Sequence, residues 1–165
     1  MSITIIGGTL KGRKIEVKHH GPDLRPILAR VRKSLFDIIR PKLEDAYFLD
    51  LFSGSGTVGI EAISRGAKFS VFVDSNHMCV KTIENDLLRL GISGRGRAIR
   101  ADILSGLKFV KGAVNSFDII FMGPPYKDFL VNASLKAIED NELLSPGGLI
   151  VAQHHKKENV GPGSG

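Results

Sequence analysis

The sequence predicts an α/β fold: a doubly wound, mostly parallel, Rossmann-like sheet with helices on both faces, preceded by an N-terminal β-hairpin and helix. Three observations predict it. Five short apolar runs, YFLDLF, FSVFVD, RAIRAD, FDIIFM and LIVAQ, follow one another from Tyr47 to Gln153. Helical patterns separate most of them. The runs are mostly apolar rather than alternating, as strands buried on both faces require.

The elements read in order as follows. SITII, GGTLKG and RKIEV form a hairpin with a glycine-rich turn, and HHGPDL is loop. Pro26 starts a helix whose apolar positions are Leu28, Val31, Leu35, Ile38 and Ile39. Arg30, Arg32, Lys33 and Arg40 fall largely on its other faces, and Pro41 ends it. TVGIEAISRG is a helix stopped by Gly66. HMCVKTIENDLLRLG is another, with Met78, Ile83, Leu87 and Leu90 on its apolar side and Gly91 as its stop. KDFLVNASLKAIEDNELL is helical between the last two strands. No internal repeat is present, and GPGSG reads as a flexible tail. The chain thus divides into a basic extension over residues 1–42, a core over 43–160 and a tail over 161–165, effectively one domain.

Composition excludes several classes. No apolar run approaches the roughly 18 residues that span a bilayer, and MSITIIGGTLKGRK lacks the pattern of a signal peptide. Cys79 is the single cysteine, and no Cys/His cluster has zinc spacing, so a cytoplasmic, metal-free monomer with no membrane partner is expected. The charge is concentrated. Residues 1–42 hold ten Lys/Arg against three acids, a net of +7 in a chain whose total is +6. A concentrated basic segment is the electrostatic footprint of a polyanion, here expected to be nucleic acid.

Gly54-Ser-Gly56-Thr-Val-Gly59 fits G-x-G-x-x-G between a strand and a helix. The glycines let backbone approach a ligand closely. Asp74, at the end of the second strand of the core, is placed to accept hydrogen bonds from ribose hydroxyls, or else to cap the next helix. Asp50 lies inside the preceding strand end, and Asp102 ends the third strand. Three acids at three successive strand ends suit a cationic nucleoside better than a dinucleotide such as NAD. The stretch DLFSGSG resembles the first motif of class I S-adenosylmethionine-dependent methyltransferases. That resemblance implies a cofactor site of Asp50, Phe52, Ser53, Gly54, Gly56, Thr57, Asp74, Ser75, Asp102 and Ile103.

The fourth strand runs into Gly123-Pro124-Pro125-Tyr126. This resembles the [D/N/S]-P-P-[Y/F] motif of methyltransferases acting on exocyclic amines. Such a nitrogen is a poor nucleophile, because its lone pair is delocalised into the ring. Hydrogen bonds from the amine to a side-chain oxygen and a backbone carbonyl aim it at the methyl. Proline supplies a rigid backbone with a free carbonyl, and tyrosine stacks on the extruded base. These four residues are the candidate catalytic set.

Over residues 3 to about 157, IIGGTLKGRKIEV, LRPILARVRKSLFDII, FLDLFSGSGTVGIEAISRGA, FDIIFMGPPY and LLSPGGLIV together resemble the small DPPY-type bacterial 16S ribosomal RNA guanine-N2 methyltransferases. The resemblance implies S-adenosylmethionine as cofactor and ribosomal RNA or the small ribosomal subunit as partner. The basic segment would then meet RNA through Lys11, Arg13, Lys14, Arg25, Arg30, Arg32 and Lys33. Adenine-N6 methylation of DNA or RNA uses the same motif and stays open. So does a weakened protein that binds cofactor and RNA, because the family has Asp or Asn where this chain has Gly123. Three departures stand out: Gly123, the apolar Ile27-Leu28-Ala29 after Pro26 where the family is rich in Thr and Asp, and C-terminal strands that look truncated. The lost side-chain acceptor predicts slow chemistry.

Overall fold

The computed structural model describes residues 1–18, 27–105, 107–125, 130–154 and 160. Two short strands, β1 (Ser2–Thr4) and β2 (Lys14–Glu16), pair antiparallel as the expected hairpin. Helix α1 (Ala29–Leu43) follows. The core then alternates: β3 (Tyr47–Leu51), α2 (Thr57–Ser64), β4 (Phe69–Asp74), α3 (His77–Arg89), β5 (Gly96–Arg100), β6 (Phe117–Met122), α4 (Val131–Asp140) and β7 (Leu144–Ala152). The five core strands are all parallel, in the order β5-β4-β3-β6-β7.

Side-chain alternation along each strand explains the two covered faces. Leu49, Leu51, Val71, Val73, Ile120 and Met122 point to one side, where they pack with Val131 and Ile138 of α4. Phe48, Ile119 and Phe121 point to the other, against Leu35, Phe36, Ile39 and Leu43 of α1 and Val58 and Ala62 of α2. Phe72 joins α3 and the hairpin through Ile83, Leu87, Ile5 and Ile15. The sheet is doubly wound, with the hairpin built into one of its cores.

Several expectations on α1 are corrected. Pro41 lies inside the helix, which continues to Leu43. Pro41 is exposed, so the Asp37 carbonyl that its missing N–H leaves without a helical partner can be hydrated. Leu28, Val31 and Ile38 are exposed; the buried face is Arg32, Leu35, Phe36, Ile39 and Leu43. The expected apolar stripe was therefore rotated by about one residue position. On α3, Met78 is also exposed, whereas Ile83, Leu87 and Leu90 are buried. Among the described residues no helix is long and apolar enough to cross a membrane.

Strand order reverses between β3 and β6: β4 and β5 lie on one side of β3, β6 and β7 on the other. In open α/β sheets the crevice outside the strand carboxyl ends at such a reversal is where ligands bind. The DLFSGSG loop leaves β3 there, and Gly123-Pro124-Pro125 leaves β6 beside it. Leu51 pairs with Met122, and the Gly123 N–H points at the Leu51 carbonyl at 3.4 Å.

Candidate active site

The loop after β3 is shaped by positive φ angles at Phe52 (57°), Gly54 (53°) and Gly56 (79°). For Phe52 that is a strained conformation, of the kind stored at functional sites. Gly56 and Gly59 answer a second demand, close packing. A Cβ on Gly56 would come within 2.8 Å of Ile83, and one on Gly59 within 2.3 Å of the Phe72 ring. The loop is thus pressed onto β4 and α3. Ser53 is tied down as well, its N–H donating to the Val73 carbonyl at 3.1 Å. Ser55 and Thr57 hydroxyls share a buried 2.6 Å hydrogen bond.

Asp50 sits beneath this loop, wholly buried, and its Oδ2 accepts the Gly59 N–H at 3.0 Å. Burial pushes its carboxyl up to about 8; the Gly59 N–H opposes that rise, and the neighbouring Asp74 charge adds to it. Asp74, at the end of β4, accepts the Gly54 N–H on Oδ2 and the Asn76 N–H on Oδ1, both at 2.9 Å. Each carboxylate oxygen keeps acceptor capacity for a ligand. Asp74 does not cap α3: Asn76 does, accepting the Met78 and Cys79 N–H groups. Ser75, next in the chain, is exposed.

Asp102 follows β5, exposed, with Oδ1 accepting the Leu104 N–H at 2.9 Å; Ile103 behind it is buried. Among the described residues, none of Asp50, Asp74 and Asp102 forms an ion pair. Asp50 and Asp74 lie close enough for the Asp74 charge to raise the Asp50 carboxyl, and Asp102 follows the neighbouring strand. Burial, with the Asp74 charge adding to it, pushes the nearby Cys79 thiol up to about 11.

Pro124 is buried, and Gly123 and Pro125 are partly so; Tyr126 lies outside the described residues. A Cβ at Gly123 would meet Phe121 at 3.4 Å and the Gln153 Oε1 at 3.5 Å, ordinary contacts, so a side chain fits there.

The family model described as conserved hypothetical protein 95 matches residues 3–163. The chain belongs to this family. Ribosomal RNA small subunit methyltransferase D of Escherichia coli K12 is 33% identical over 151 residues, covering 92% of this chain and 74% of that protein. The protein of the same name from Buchnera aphidicola, pea-aphid strain, is 35% identical over 158 residues, covering 96% and 81%. A hypothetical protein of Thermus thermophilus superposes with a TM-score of 0.80 at 31% identity, covering 96% of this chain and 89% of that one. The fold and family expected from the sequence are those found.

The basic segment is only partly a solvent face. Lys11, Arg13, Lys14, Arg30 and Lys33 are exposed, and Arg25 lies outside the described residues. Arg32, expected among the RNA contacts, is 1% exposed. Its Nη2 donates to the Thr4 carbonyl at 2.7 Å, and its Nε lies 3.3 Å from Glu61 Oε1, an ion-pair distance without hydrogen-bond alignment. In this position Arg32 cannot meet a phosphate. Helical periodicity hid this, because a buried arginine needs a buried acid, and Glu61 sits on a different helix.

Proposed function

We propose that this chain transfers a methyl group from S-adenosylmethionine to the exocyclic N2 amine of a guanine in small-subunit ribosomal RNA. One observation carries the reading: the glycine loop with Asp50 and Asp74 and the Gly123-Pro124-Pro125 strand end adjoin across the point where strand order reverses. The first group suits a cationic nucleoside and the second an extruded amine. The relatives named for small-subunit ribosomal RNA methylation support the substrate class.

The cofactor supplies an electrophilic methyl. Asp74 would hold the ribose hydroxyls through its remaining acceptor positions, while the Gly54 N–H fixes its orientation. Asp102 would face the adenine amino group, and Asp50 would answer the positive charge near the methyl. The rigid backbone at Pro124 and Pro125 would present a carbonyl to the target N–H. Catalysis of this kind is mostly positioning of the amine on the methyl. Exposed Lys11, Arg13, Lys14, Arg30 and Lys33 would hold the RNA backbone.

The test is transfer of tritium from labelled S-adenosylmethionine to bare 16S ribosomal RNA and to small subunits lacking the modification. Incorporation into either is expected. Cofactor binding without transfer to any nucleic acid would favour a protein that binds both partners but no longer methylates. Binding of NAD in place of S-adenosylhomocysteine would overturn the cofactor assignment.

A further inference from the structure

Gly123 removes the side chain that amine methylation calls for, yet the space it leaves is not bare. Gln153 follows the last residue of β7, and its backbone N–H donates to the Met122 carbonyl at 2.9 Å. That bond fixes Gln153 beside the carboxyl end of β6. Its Oε1 lies 3.5 Å from where a Gly123 Cβ would be, within reach of the position an aspartate carboxylate would occupy. The residue is half-buried. Parallel pairing of β6 with β7, Met122 opposite Ala152, delivers this group to the strand end that carries Gly123.

We propose that the Gln153 amide oxygen is the acceptor for the target amine, taking the place of the side chain absent at position 123. The inference rests on the methyltransferase reading above. A carboxamide holds one amine N–H by hydrogen bonding and leaves the nitrogen lone pair free to turn toward the methyl. That pair forms the N–C bond as the C–S bond breaks, its electrons going to sulfur to leave the neutral thioether. The surplus proton on nitrogen then leaves to water, because a carboxamide does not take it. Gln153 therefore positions the amine and is no base. Its amide also offers N–H donors beside the acceptor, which a carboxylate lacks, so it can pair with a ring nitrogen next to the amine.

The experiment is single-turnover methyl transfer to unmodified small ribosomal subunits, with S-adenosylhomocysteine calorimetry on every variant. Gln153→Ala should slow transfer about 100- to 1,000-fold, as loss of one preorganised hydrogen bond does, with cofactor affinity unchanged. Gln153→Glu keeps an acceptor and should retain most of the rate. Gly123→Asp added to Gln153→Ala should restore transfer. Wild-type rates in Gln153→Ala would overturn the proposal, as would a loss that neither Glu nor Gly123→Asp repairs or that follows cofactor affinity. A silent wild type awakened by Gly123→Asp would overturn Gln153 and leave amine methylation standing. Silence in both would overturn the methylation reading and Gln153 with it.

Discussion

Arg32 and Glu61 meet under the N-terminal hairpin, Nε to Oε1 at 3.3 Å, with side chains 2% and 1% exposed. Glu61 also accepts the Ile6 N–H at 2.9 Å, the Gly7 N–H at 3.0 Å and Arg65 Nε at 2.9 Å. Through this one carboxylate α1, α2 and the hairpin are joined. Burial pushes the Arg32 guanidinium down; Glu61 pulls it back up, and Arg65 adds to the depression. Removing Glu61 would leave Arg32 charged, buried and held by the Thr4 carbonyl. Glu61→Ala should therefore destabilise the fold by about 3–5 kcal/mol. Arg32→Met should cost less, because Glu61 keeps Arg65 and two backbone donors. Urea denaturation measures both. Equal, small losses would show that the buried pair does not hold the hairpin.

The basic extension makes a different prediction at its surface. Arg30 and Lys33 are exposed on α1, Lys33 in a loose ion pair with Asp37 at 2.9 Å. If both meet phosphates, replacing each by Gln should lower the slope of log affinity against log salt by about 0.7–0.9. Arg32→Met should change that slope far less. RNA-binding titrations at several salt concentrations test this, and an unchanged slope in Arg30→Gln/Lys33→Gln would place the RNA elsewhere.

Asp50 predicts a pH dependence with a definite sign. Its carboxyl is raised from the ordinary 3.8 to about 8. Stability from the buried neutral form is fully present below pH 3.8 and is lost as pH rises through about 8. Asp50→Asn should flatten that decline, seen as a smaller fall in melting temperature between pH 5 and 9. A cation placed beside Asp50 favours its ionised form, so cofactor binding below pH 8 should release a proton. Calorimetry in buffers of different ionisation enthalpy would detect it. Binding with no proton release, or release unaffected by Asp50→Asn, would remove Asp50 from the cofactor's electrostatics.

Asp74 should act on affinity. Asp74→Ala removes the ribose acceptors and frees the Gly54 N–H that it now receives at 2.9 Å. Cofactor binding should weaken by about 1–3 kcal/mol. Unchanged affinity by calorimetry would exclude Asp74 from the site.

The parallel sheet was legible because buried strands write their apolar character locally, and the glycine loop because close packing on Phe72 and Ile83 tolerates no side chain there. Asp50, Asp74 and Gly123 could be placed at strand ends for the same reason. Arg32 and Gln153 could not. Arg32 is buried by partners 28 and 29 residues away, Thr4 and Glu61, and Gln153 reaches Gly123 only through the pairing of β6 with β7. Both depend on contacts between elements, which periodicity along one element does not contain. The rotated face of α1 has the same origin, since Arg32 occupies a core position that the apolar pattern assigned to Val31 and Leu28.

The most direct test of the central claim is the identity of the methylated nucleoside. Small subunits lacking the modification would be incubated with this protein and labelled S-adenosylmethionine, and the 16S RNA digested and resolved by mass spectrometry. The proposed function predicts label in N2-methylguanosine. Label in N6-methyladenosine, or in no nucleoside while the cofactor still binds, would contradict it.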